Sequence, residues 1–102
     1  MIFIQLSSFE RSAKGLFSEE DILELEITLI ENPQAGDVIP GGFGLRKLRR
    51  PLQGRGKRGG ARVIYYHISA AGKIILISAY AKNEKSDLTK EQLKQLTKLC
   101  HE

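Results

Sequence analysis

Four shortages narrow what this chain can be. It has one cysteine, Cys100, in 102 residues, which excludes an internal disulfide framework and a cysteine-rich zinc ribbon or knuckle. Its two histidines, His67 and His101, are far apart. No C-x-x-C, H-x-x-x-H or carboxylate cluster accompanies them, so no catalytic metal is expected. No apolar run approaches the length of a membrane span. The opening Met1–Leu6 lacks the basic flank and the length of a signal peptide, so the reduced cytoplasm is the expected compartment. P-loop, dinucleotide fingerprint and nucleophile elbow are missing as well.

The fourth shortage is of acid. Residues 38–83 contain no Asp or Glu, yet hold Arg46, Lys47, Arg49, Arg50, Arg55, Lys57, Arg58, Arg62, Lys73 and Lys82, a net +10. The rest of the chain carries 6 basic and 12 acidic residues, a net −6 against the overall +4. A surface with no polyanionic partner intersperses its signs. Segregation on this scale predicts a polyanion-binding face. The basic block does not form an amphipathic helix, which favours nucleic acid over a membrane surface.

What is present suits one globular domain, residues 1–102, with 41% hydrophobic residues to build a core. Residues 1–6 alternate as a short strand, and Ser7 to Gly15 reads as one or two helical turns. Phe17, Ser18, Asp21 and Ile22 form a capping box with a hydrophobic staple, opening a helix that Asn32-Pro33 ends. Its first turn is acidic, as the helix dipole favours. Asn32 to Gly42 reads as a loop. A strand follows from Phe43 to Arg50, and Pro51 stops it. Pro51 to Gly60, with Arg55, Lys57 and Arg58, reads as a basic hairpin tip. Arg62–Ile68 is rich in β-branched and aromatic residues, hence a strand. Ala70–Gly72 turns the chain into Lys73–Lys82, a strand buried on both faces. Leu88, Thr89, Gln92 and Leu93 repeat the box and staple before a last helix, along which Leu93, Leu96 and Leu99 or Cys100 recur. The fold class is α+β: a short N-terminal strand and helical segment, an antiparallel β-meander and a C-terminal helix.

Side chains alternate along a strand, so Lys47 and Arg49 share one face. Arg62 opens the next strand and Lys82 closes the third. These cations can converge on phosphate oxygens through charge-assisted hydrogen bonds. Tyr65, Tyr66 and Tyr80 lie close enough in sequence to stack on an unpaired base. The plainer reading makes the cations solvated and the tyrosines core. His67, mid-strand among apolar residues, reads as a packed or surface histidine.

Three segments resemble a known family: Leu45–Arg49, the run from Gly56 to Tyr66 and the run from Tyr80 to Leu88. Together they are similar to the RelE/HigB toxins of type II toxin–antitoxin modules, with the HigB branch the nearer likeness. The resemblance implies a RelE-like fold and a ribosome-dependent mRNA endonuclease. Such an enzyme works in the ribosomal A site by metal-independent attack of the 2′-hydroxyl on the adjacent phosphodiester. It implies no cofactor. As partners it implies a cognate antitoxin and the ribosome with its mRNA, the toxin–antitoxin complex binding operator DNA; no membrane is involved. Matched motif by motif, the catalytic set is Lys47, Arg49, Arg62 and Lys82. Arg49 and Arg62 stabilise the phosphate and the transition state, and Lys47 is base or electrostatic aid. Arg46, Arg50, Arg55, Lys57, Arg58, Tyr66 and Tyr80 form the wider RNA and ribosome contact set. Two positions depart from the family pattern: Asn83 stands where RelE has an arginine, and Thr89 where it has a tyrosine. The general acid therefore stays open among Tyr80, Lys82 and His67. Two alternatives remain, a ParE-like gyrase inhibitor without catalysis and a plain RNA-binding module.

Overall fold

In chain order the elements are β1 (Ile2–Gln5), α1 (Ser7–Ala13), α2 (Glu19–Glu31), β2 (Asp37–Val38), β3 (Arg46–Arg50), β4 (Ala61–Ile68), β5 (Lys73–Ala81) and α3 (Lys90–Cys100). They come from a computed structural model that describes residues 1–52, 60–82, 84 and 89–100. The expected hairpin tip with Arg55, Lys57 and Arg58, the Leu88 staple, Asn83, and the side chains of Leu99 and Cys100 lie outside the described residues.

Local signals set the helix starts. The Ser18 hydroxyl accepts from the Asp21 N–H at 3.1 Å while Asp21 accepts from the Ser18 N–H at 2.9 Å. Thr89 and Gln92 repeat the exchange at 3.1 and 2.8 Å ahead of α3. Each box satisfies two N–H groups that a helix start leaves without intrahelical partners. Thr89 is thus occupied as a cap.

The sheet has the order β1-β5-β4-β3-β2. β3, β4 and β5 form the antiparallel meander, β1 adds in parallel beside β5, and β2 adds at the far edge. Two details differ from the sequence expectation. Asp37–Val38 pairs with Arg46–Lys47 instead of lying in a loop. The strand expected from Phe43 starts at Arg46, because Gly41, Phe43 and Gly44 all take left-handed backbone angles (φ 66°, 58° and 89°). That excludes extended pairing there.

A core lies on each side of the sheet. On one side Phe9 and Ala13 of α1 and Leu25 and Leu29 of α2 pack on Leu48, Val63, Tyr65, Leu76 and Ala79. On the other, Leu93 and Leu96 of α3 pack with Leu45, Ile64, Ile75 and Ile77. Each fully buried aliphatic contributes about 1.5–3 kcal/mol relative to exposure. β5, apolar on both faces, belongs to both cores, as its unbroken run from Ile74 to Ile77 predicts. No helix among the described residues is long and apolar enough to cross a membrane.

Candidate nucleic-acid interface

Register builds the site. Arg49 of β3 stands directly opposite Arg62 of β4, and Arg62 directly opposite Tyr80 of β5. Cross-strand partners point to the same side, so two guanidinium groups and a phenol form one row across three strands, on the side that carries α3. Lys47 lies two residues from Arg49 on the same face, roughly 7 Å along the strand. Lys47, Arg49 and Arg62 line a cleft of about 270 Å³, walled by Asp37, Val38, Ile39 and Pro40. Lys82, exposed one residue beyond β5, is fixed at its backbone: its N–H donates to the Gly60 carbonyl at 3.0 Å. Gly60 has φ 69°, and a Cβ there would run into the Arg50 carbonyl, so only glycine fits.

A bulge brings Tyr80 into the row. Ile64 pairs with Ser78 and Tyr65 with Leu76, which leaves Ile77 as an extra residue in β5. Before it, Ile74 and Leu76 face α1 and α2; after it, Ala79 and Ala81 take that side and Tyr80 joins the other core. An unbulged strand would aim Tyr80 away from Arg62. Two serines of α1 satisfy the displaced backbone: Ser8 Oγ donates to the Ile77 carbonyl at 2.6 Å, and Ser12 Oγ accepts from the Ala79 N–H at 3.0 Å.

The remaining expected residues lie elsewhere. Arg46 and Arg50 occupy the opposite face of β3. Arg46 donates to the Gly36 carbonyl at 2.8 Å. Arg50 donates to the Thr28 hydroxyl at 3.1 Å and lies 4.0 Å from the Glu24 carboxylate. These two pin the sheet to α2 and the segment before β2, and they do not line the cleft. Tyr66 shares the site face but sits four residues from Arg62, roughly 13 Å along β4, packed in the second core. Tyr65 is not a stacking residue. It is fully buried on the other side, donating to the Pro33 carbonyl at 2.8 Å and accepting from the Gly36 N–H at 2.9 Å. Burial, opposed by the Gly36 hydrogen bond and the Arg46 charge, pushes its phenol pKa up. His67 shares the parity of Tyr65 along β4, so it lies off the Arg62 face. Among the described residues no three His, Cys, Asp or Glu side chains converge as metal ligands.

Asp37 was missing from the sequence expectation. It stands opposite Lys47 and is the one carboxylate among the described residues of the cleft lining. In the sequence it marks only the edge of the acid-free window, and nothing local announces the short strand that carries it to the site.

The family model for the RelE toxin of the RelE/RelB toxin–antitoxin system matches residues 2–102. The chain belongs to the RelE toxin family. The same fold recurs in solved structures from E. coli. One is the free state of a RelE mutant with two arginines replaced by alanine: 20% identity, 93% of this chain and 96% of that one, TM-score 0.58. Another is the intact RelBE toxin–antitoxin complex: 19% identity, 82% of this chain and 98% of that one, TM-score 0.56. Sequences this distant share the fold, and the cationic row of this RelE-family chain stands on its own register.

Proposed function

We propose that this chain is the toxin of a toxin–antitoxin module, that it cleaves mRNA at the ribosomal A site, and that an antitoxin encoded beside it restrains it. The row of Arg49, Arg62 and Tyr80 beside Lys47 carries this reading. Arg49 and Arg62 are cross-strand partners, and like charges placed opposite each other weaken a strand pair. A phosphodiester held between them turns that cost into binding.

In the reaction the 2′-oxygen bonds to phosphorus as the bond from phosphorus to the 5′-oxygen breaks. The 2′-hydroxyl loses its proton and the leaving oxygen gains one, giving a 2′,3′-cyclic phosphate and a 5′-hydroxyl. Arg49 and Arg62 hold the non-bridging oxygens, whose charge grows in the transition state. Lys47 acts on the 2′-hydroxyl as base or electrostatic aid, and Tyr80, at the end of the row, is the donor to the 5′-oxygen. Lys82, two residues beyond Tyr80 and exposed, adds positive charge for the RNA. The segregated +10 window supports RNA as the ligand, and the solved complex of the E. coli relative with its antitoxin supports an antitoxin partner. Binding of the complex to operator DNA belongs to the same reading.

Arg62→Ala tests it. Cleavage of a translated message should fall about 10²–10³-fold, the usual loss for one transition-state donor, with the circular dichroism spectrum unchanged. Full activity in that variant overturns the site assignment.

A further inference from the structure

Helix α2 is apolar on two sides. Ile22, Leu25 and Leu29 face the core, while Leu23, Ile27 and Ile30 on the outside are 56%, 46% and 55% exposed. Their spacing of i, i+4 and i+7 aligns them in one stripe. Scattered surface aliphatics are ordinary, but three on one stripe of one helix mark an interaction surface. Carboxylates frame it on both edges: at 100° per residue Glu20 and Glu31 fall on one flank and Glu19 and Glu26 on the other. The helix carries six acidic residues and no basic one.

The frame selects the occupant. Six carboxylates repel RNA and anionic lipid. A second copy of the chain would offer its own α2, whose carboxylates repel these, or its cationic cleft, where Val38, Ile39 and Pro40 sit among Lys47, Arg49 and Arg62 and form no helical ridge to match the stripe. An amphipathic helix with an aliphatic ridge flanked by Lys and Arg matches both the stripe and its edges. We infer that the outer face of α2 is a docking surface for such a helix, supplied by the antitoxin; the inference rests on the antitoxin reading above. α2 packs on the side of the sheet away from Lys47, Arg49 and Arg62, so a helix docked there anchors the antitoxin and leaves the cleft uncovered. Another antitoxin segment, or its bulk, must do the blocking.

The test is isothermal titration of the full chain with the protein encoded by the neighbouring gene. Leu23→Asp and Ile27→Asp change exposed side chains, so their spectra and message cleavage should match the parent. Each should weaken the complex about tenfold or more, the smaller end of what burying one such side chain contributes. Glu20→Gln with Glu26→Gln should weaken it severalfold at low salt and less at high salt. Amides of residues 22–31 should gain protection from hydrogen exchange in the complex. Parent-like affinity of both aspartate variants, with no added protection, refutes the docking surface and leaves the antitoxin reading intact. No binding to the parent chain refutes that reading, and the inference with it.

Discussion

Arg49 and Arg62 stand opposite each other, a like-charge pairing that folding alone would avoid. Arg49→Ala should therefore lower message cleavage while its urea midpoint at low salt holds or rises. A clear fall in that midpoint would make Arg49 a structural residue. Tyr65 is the opposite case, a residue kept for folding. Tyr65→Phe orphans the buried Gly36 N–H, so stability should fall about 1–3 kcal/mol, read from urea unfolding. The raised phenol pKa gives that site a pH sign. Below about pH 10 both folded and unfolded chains keep the phenolic proton, and its contribution is complete. Above that the unfolded chain releases the proton first, so stability falls as pH climbs toward the folded pKa. The phenylalanine variant should show a shallower alkaline decline, and an unchanged slope would mean the phenol is not held neutral.

At the scale of elements, the bulge in β5 and the serines of α1 act as one device. Ser12→Ala removes the acceptor of the Ala79 N–H and should cost about 1–3 kcal/mol. The same change at exposed Ser7 should stay within about 0.5 kcal/mol. Equal effects would show that the bulge does not depend on Ser12. This device also marks how far the sequence can be read. Both capping boxes were legible because every partner lies within three residues. The meander was legible because alternation and turn chemistry are local. The bulge was not, because the side chains that satisfy its backbone are serines nearly seventy residues upstream. Alternation alone separates Arg46 and Arg50 from Lys47 and Arg49. That Thr28 and the Gly36 carbonyl wait for the first pair is tertiary, so cation content alone does not tell which cations line the cleft. The β2 pairing that carries Asp37 into the cleft is tertiary for the same reason.

Across the described residues charge leans by face, with Asp37 in the cleft and Arg46 and Arg50 on the α2 side as the exceptions on either face. The cleft side carries Lys47, Arg49 and Arg62, while α2 on the far side carries six carboxylates. A polyanion therefore meets the chain in one orientation, cleft first. The most direct test of the central claim is primer extension on a defined message in a cell-free translation system, with and without the purified chain. Cuts in phase with codons, present only while ribosomes translate and missing with Arg62→Ala, are the expected result. Translation arrest without cuts would contradict the nuclease and leave an RNA-binding inhibitor, and no arrest at all would contradict the translational target and turn attention to gyrase.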